Sequence, residues 1–221
     1  VNVCRINFSH DTGDVQGEKI DLIRRTARDC GLHVAVLVDL QGPKHRIGNF
    51  ATEDKYPLKI GQTFTFDNDP TPGDSTRVQL PHDNVMKSLN VGDRILLNDG
   101  KIEMRVTGVE TGKIIATVVR GDEIWSRRGF NLPDTDVATS VLTPKDKNDL
   151  EYAITKKPDW VAISFVQRPE DVTEVRDFIT ARTSHPIKII AKIERPNAVD
   201  RIAEIASVAD GIMIARGDLA V

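Results

Sequence analysis

Apolar positions change their spacing twice along the chain. Over 3–8 they alternate, with Cys4, Ile6 and Phe8 on one face of a predicted strand and Arg5, Asn7 and Ser9 on the other. Ile20, Leu22, Ile23, Ala27 and Cys30 then follow a helical period, and Gly31 is its expected stop. Residues 33–40 are apolar almost throughout, the pattern of a strand covered on both faces, and they end at Asp39 and Leu40. From about Gly48 to Leu142 the helical period is lost. Short β-rich runs at 62–66, 77–80, 94–97, 102–106 and 114–119 are separated by turn signals such as Asn98-Asp99-Gly100 and Thr111-Gly112. Helical spacing returns at Thr143-Pro144, an N-cap with proline at N1. A strand over 160–166 follows, then a helix opened by Arg168-Pro169-Glu170-Asp171. Two apolar runs, 189–194 and 211–218, close the chain with a helical pattern between them.

This order, βαβ, a β-rich module, then αβαβαβ, predicts an all-β domain inserted after a strand of a parallel α/β domain. The expected division is 1–47 with 143–221 for the α/β part and 48–142 for the insert. The first strand presents a polar face inward and an apolar face outward, which suits a barrel strand backed by helices. Composition adds only bounds. Charged residues are 29% and hydrophobic residues 39%, so a folded core is expected. A net charge of −3 argues against a broad nucleic-acid surface while leaving room for a local basic pocket. No apolar run approaches the roughly 20 residues that span a bilayer. Cys4 and Cys30 lack metal-type spacing and read as buried thiols in a reducing, cytoplasmic setting. Val1 is not an initiating methionine and already begins a strand pattern, so the chain reads as a piece of a longer protein.

The candidate chemistry sits at predicted strand ends. Lys192 and Glu194 are two apart, as are Arg216 and Asp218, so each pair is expected on one side of its strand. Ligands of parallel α/β proteins bind beyond the carboxyl ends of the strands. Two carboxylates beside a lysine and an arginine suit a divalent metal holding an anionic, oxygen-rich substrate. Two carboxylates leave most of a Mg²⁺ shell open to water and substrate oxygens. Lys192 would place a point charge on a phosphoryl group or a developing enolate oxygen. Gly217 lets a substrate approach the backbone. Arg5 and Arg46, at two other strand ends, form a candidate phosphate clamp. His10 reads equally as a helix-entry residue, and Asn98-Asp99-Gly100 as a plain hairpin turn.

Six blocks in order, spread over the whole chain, resemble pyruvate kinase. They are Asn2-Val3-Cys4-Arg5-Ile6-Asn7-Phe8-Ser9-His10, Asp39-Leu40-Gln41-Gly42-Pro43-Lys44, Leu97-Asn98-Asp99-Gly100, Ser164-Phe165-Val166, Lys192-Ile193-Glu194, and the stretch from Asp210 to Leu219. The resemblance implies a partial TIM (β/α)8 barrel, about strands two to six, with an inserted all-β lid. It implies phosphoryl transfer from phosphoenolpyruvate to ADP, giving pyruvate and ATP. Glu194 and Asp218 would hold Mg²⁺ (or Mn²⁺), and Lys192 would stabilise the phosphoryl group and enolate. Arg5 would meet the phosphoryl group and Arg46 the nucleotide phosphates. Asn7 and His10 fall in the nucleotide-side motif. Backbone N–H groups near Arg216, Gly217 and Asp218 would hold the substrate carboxylate. A homotetramer, with no nucleic-acid or membrane partner, is the expected full-length state.

One departure is informative. Potassium-requiring relatives hold K⁺ with Asn, Ser, Asp and a backbone carbonyl, positions matched here by Asn7, Ser9, Asp39 and Leu40. Their motif ends in glutamate where this chain has Lys44. An ammonium there could supply the charge of K⁺ and repel the ion, so K⁺ independence is expected. The alternatives are a metal-dependent aldolase or lyase acting through a pyruvate enolate, and a non-catalytic truncated relative. An isolated open barrel also leaves strand edges unpaired, which bears on whether this piece is active alone.

Overall fold

The computed structural model describes residues 1–219 except Asp136 and Ala138, and the side chain of Asp218 also lies outside the described residues. The chain opens with β1 (Val3–Asn7), α1 (Gly13–Asp29) and β2 (Ala35–Asp39). The alternation of β1 is real: Ile6 and Phe8 are buried while Arg5 is exposed. Helix α1 stops where expected. Gly31 adopts φ 65, and the Leu32 N–H donates to the Ala27 carbonyl at 2.8 Å, closing the orphan carbonyls of the last turn. Cys4 is half-buried and Cys30 is exposed, so the expectation of buried thiols is corrected. Cys30 sits at the helix end, beyond the apolar face that the core covers.

The chain forms two compact units, 1–43 with 140–219, and 44–139. The second contains β3 (Tyr56–Pro57), β4 (Thr63–Asp67), β5 (Arg77–Gln79), α2 (Asp83–Ser88), β6 (Arg94–Leu97), β7 (Ile102–Glu110), β8 (Lys113–Arg120), β9 (Glu123–Ile124) and β10 (Phe130–Asn131). Six strands form one sheet in the order β10-β6-β7-β8-β4-β5, and β3 pairs with β9. Its core is built on Phe64, Phe66, Ile95, Leu97, Met104 and Phe130. Asn98-Asp99-Gly100 is the β6–β7 hairpin turn, with φ of 52, 54 and 76. Lys44–Ile47 belongs to this unit because Arg46 bridges to Gly129 and Ile47 is buried in its core. The short helix α2 was not legible, since six residues carry less than two periods of pattern.

The first unit continues with α3 (Pro144–Thr155), β11 (Trp160–Ile163), α4 (Pro169–Thr180), β12 (Lys188–Ile193), α5 (Pro196–Asp200), α6 (Ile202–Val208), β13 (Gly211–Ile214) and α7 (Arg216–Leu219). Its five strands are all parallel, in the order β1-β2-β11-β12-β13, so chain order equals spatial order. This is a curled half-barrel with helices on one side, the partial (β/α) barrel the sequence implied. Thr143 caps α3 through a capping box with Asp146, as the Thr-Pro signal predicts. The single helical pattern after β12 is two helices, broken at Arg201 with φ −104.

One expectation fails here. The alternation of β13 ends at Ile214, and the Leu219 N–H turns back to the Ala215 carbonyl at 3.1 Å. The backbone from Arg216 to Leu219 is therefore a helical turn rather than a continuation of the strand, and the expected facing of the Asp218 side chain lies outside the described residues.

At the opposite strand ends an acidic device recurs. Asp159 accepts from the Val36 N–H and Asp210 from the Ile189 N–H, both at 2.8 Å, satisfying backbone donors of neighbouring strands. Burial works against the Asp210 carboxylate, but the Ile189 N–H and the Arg176 cation more than offset it and hold it below its ordinary value. A depressed folded value contributes stability above the unfolded pKa, lost as pH falls through the folded one. The stability lost in Asp210→Asn should therefore be largest near pH 6 and shrink on acidification below pH 4. Urea melts of both proteins at several pH values would check this, and a pH-independent difference would refute it.

Candidate functional site

The carboxyl ends of β2, β11 and β12 converge on one ammonium. Neighbouring strands lie about 4.8 Å apart, so β2 and β12, with β11 between them, are about two spacings apart. Only a long side chain crosses that gap. Lys192, in β12, does so: its Nζ lies 3.2 Å from Asp39 Oδ1 at the end of β2. It also donates to Ser164 Oγ at 2.7 Å, just past β11, and meets Glu194 Oε1 at 3.1 Å. Lys192 and Glu194 thus share a side, as their spacing of two predicts.

All these groups are sequestered. Asp39 and Glu194 are 1% and 4% exposed, and Ser164 is 2% exposed. Buried charges are tolerated when paired and hydrogen-bonded, and each is. Asp39 Oδ2 accepts from Arg5 Nε at 2.6 Å, so the carboxylate lies between two cations. Glu194 Oε2 accepts from the Phe165 N–H at 2.7 Å. Arg5 remains half-exposed, with its guanidinium at the edge of the cluster.

The β1 end is held from beneath. Gln16 Nε2 donates to the Asn7 carbonyl at 2.8 Å and the His10 carbonyl at 2.5 Å. Lys145 donates to the Phe8 carbonyl at 2.7 Å. Asn7 Oδ1 accepts from the Ser9 N–H at 3.0 Å, and the His10 side chain is exposed. At the end of β2, Gly42 adopts φ 69 and its N–H donates to Asp146 Oδ1 at 3.1 Å. Sequence reasoning gave no role to Ser164, Phe165, Gln16, Lys145 or Asp146. Ser164 and Phe165 lie inside a quoted motif, but nothing in their local spacing marks them. Their partners are 28–124 residues away.

The predicted site residues fall into three groups. Arg5, Asp39, Lys192 and Glu194 form one connected cluster, and Asn7 pairs with Asp39 in the β1–β2 register. Lys44 and Arg46 belong to the second unit, where Arg46 donates to the Arg127 carbonyl at 2.9 Å. Arg216 and Gly217 lie on α7, and the Asp218 side chain is outside the described residues. Among the described residues no three His, Cys, Asp or Glu side chains are grouped to cage a metal. What is present, a buried hard-oxygen donor on a fixed backbone contact, fits an ion that takes few protein ligands. Mg²⁺ is such an ion, and a Zn²⁺-type nitrogen and sulfur set is not described here. No helix among the described residues is long and apolar enough to cross a membrane.

Comparison with known proteins agrees with this architecture. Residues 1–221 match the family described as pyruvate kinase, barrel domain. The chain is 44% identical over 220 residues to a pyruvate kinase of Methylorubrum extorquens, covering all of this chain and 45% of the relative. It is 38% identical over 222 residues to one from Clostridium perfringens, covering 47% of that protein. A crystal structure of a pyruvate kinase from Cryptosporidium parvum superposes with a TM-score of 0.93 at 31% identity, over all of this chain and 46% of the other. The chain therefore spans under half the length of the relatives it matches. With a parallel half-barrel, a buried lysine–carboxylate cluster at its strand ends and a family match over every residue, this chain belongs to the pyruvate kinase family.

Proposed function

We propose that the native protein transfers the phosphoryl group of phosphoenolpyruvate to ADP, giving pyruvate and ATP. The observation that carries this reading is the Lys192 ammonium, held by Asp39, Ser164 and Glu194 at the ends of three parallel strands. A fixed cation in a low-dielectric setting stabilises charge that develops on an enolate oxygen or a transferring phosphoryl group. Arg5, half-exposed at the edge of the cluster, is the group suited to orient the phosphoryl oxygens. Such transfer needs positioning and charge more than covalent help. Glu194 with Asp218 would hold Mg²⁺, which when bound supplies further charge neutralisation for the phosphoryl oxygens. Backbone N–H groups around Arg216 and Gly217 are assigned to the substrate carboxylate. Arg46, Asn7 and His10 are assigned to the nucleotide, and the β-rich unit to the role of lid. A homotetramer and a cytoplasmic location follow from the same family reading.

K⁺ is not required in this reading. Three would-be ligands already have partners within the protein. Asp39 is shared by Arg5 and Lys192, Asn7 Oδ1 accepts from Ser9, and the Leu40 carbonyl accepts from Ser164 Oγ at 2.9 Å. Lys44 occupies the sequence position where K⁺-requiring relatives carry glutamate.

The test is coupled pyruvate formation by the native protein with Mg²⁺, with and without K⁺. Activity dependent on phosphoenolpyruvate, ADP and Mg²⁺ is expected, changing less than about twofold with K⁺. Absence of ADP-dependent ATP formation would overturn the reaction and favour an enolate aldolase. Strong K⁺ activation would overturn only the potassium reading.

A further inference from the structure

We propose that Ser164 is a positioning residue for the reaction: its hydroxyl takes the third N–H of the Lys192 ammonium and so fixes where that charge points. The inference rests on the reaction assigned above. An ammonium has three donors. Here they meet Asp39 Oδ1 at 3.2 Å, Glu194 Oε1 at 3.1 Å and Ser164 Oγ at 2.7 Å. Two contacts leave a flexible lysine free to swing about the line joining them. The third removes that freedom.

The serine is locked as an acceptor. Its own hydrogen goes to the Leu40 carbonyl at 2.9 Å, so a lone pair faces Lys192. A carboxylate in its place would put a third negative charge around one cation. A Cβ on Gly42 would lie only 2.8 Å from Ser164 Cβ, so the serine is packed directly against the β2 turn. The next residue supports the same arrangement. Phe165 holds φ 60, a conformation non-glycine residues avoid, and its N–H is thereby aimed at Glu194 Oε2 at 2.7 Å. One strained turn after β11 thus fixes the lysine through Ser164 and the carboxylate through Phe165.

The test compares Ser164→Ala and Ser164→Cys with the native protein. Two quantities are read: kcat and KM for phosphoenolpyruvate and ADP, and the placement of the Lys192 ammonium in crystal structures of the variants. Losing one hydrogen bond to a charged group should lower kcat about tenfold with both KM values within about twofold. With the third acceptor gone, the ammonium should also spread over more than one position in Ser164→Ala, with cysteine in between. An ammonium that keeps one unmoved position in a folded variant overturns the proposal, as does an unchanged kcat in an active one. If alanine does not fold, the nearly isosteric cysteine decides by the same criteria. If the native protein forms no pyruvate, the assigned reaction fails and the placement of the Lys192 ammonium alone decides the role of Ser164.

Discussion

Lys192→Met should lower kcat of the native protein by roughly 10²- to 10³-fold, the usual cost of removing one preorganised group from a developing charge. The side chain is 12% exposed and spans two strand spacings, and methionine keeps its length without its charge. Stability should fall too. Removing one partner of a buried ion pair costs about 3–5 kcal/mol when the other charge is left uncompensated. Here the cost should sit at the low end, because Asp39 keeps Arg5 and Glu194 keeps the Phe165 N–H. Most domains have about 5–15 kcal/mol in hand, so the variant should remain folded and its lost activity should reflect chemistry. Lys192→Arg should not restore the rate. A planar fork cannot meet three acceptors arranged around a tetrahedral ammonium. Steady-state rates beside urea melts separate the two effects, and a rate within tenfold of native for Lys192→Met would refute the assigned role.

Gly42→Ala should destabilise the protein by about 2–5 kcal/mol, combining left-handed strain with overpacking. The backbone sits at φ 69, and an added Cβ would fall 2.8 Å from Ser164 Cβ, 3.1 Å from the Ser164 carbonyl and 3.2 Å from the Phe165 ring. Gly31 provides an internal control, with φ 65 but nothing within 4 Å of its added Cβ. Gly31→Ala should therefore cost only the strain, about 1–2 kcal/mol. Chemical denaturation of the two variants checks the difference. Equal costs would show that the Gly42–Ser164 approach does not constrain the turn. Because the Gly42 turn packs directly against Ser164 and the Phe165 ring, Gly42→Ala should also depress kcat in whatever protein remains folded.

Much of the site was legible because it depends on short-range pattern. Lys192 and Glu194 share a side since a strand alternates, and no tertiary information was needed to say so. Arg5 and Asp39 were placed at strand ends by the same reading. The strand period stopped at Ile214 instead of running on to 218, because a local hydrogen bond from Leu219 to Ala215 replaces the strand with a helical turn. It also missed the short helix α2 and the two-residue strands β3, β9 and β10, which are too brief to carry a period.

Taken alone, the sequence determined the alternation of a parallel α/β unit with an inserted β-rich one, the ends at which its charged residues gather, and the caps and turns between them. These follow from side-chain periodicity and local backbone preference, which act over a few residues. Only the tertiary structure decided what the Lys192 ammonium touches. Sheet order β2-β11-β12 places Ser164 between Asp39 and Lys192, and the left-handed turn at Phe165 aims an N–H at Glu194. Those contacts join residues up to 153 positions apart, and strand pairing, not local pattern, brings them together.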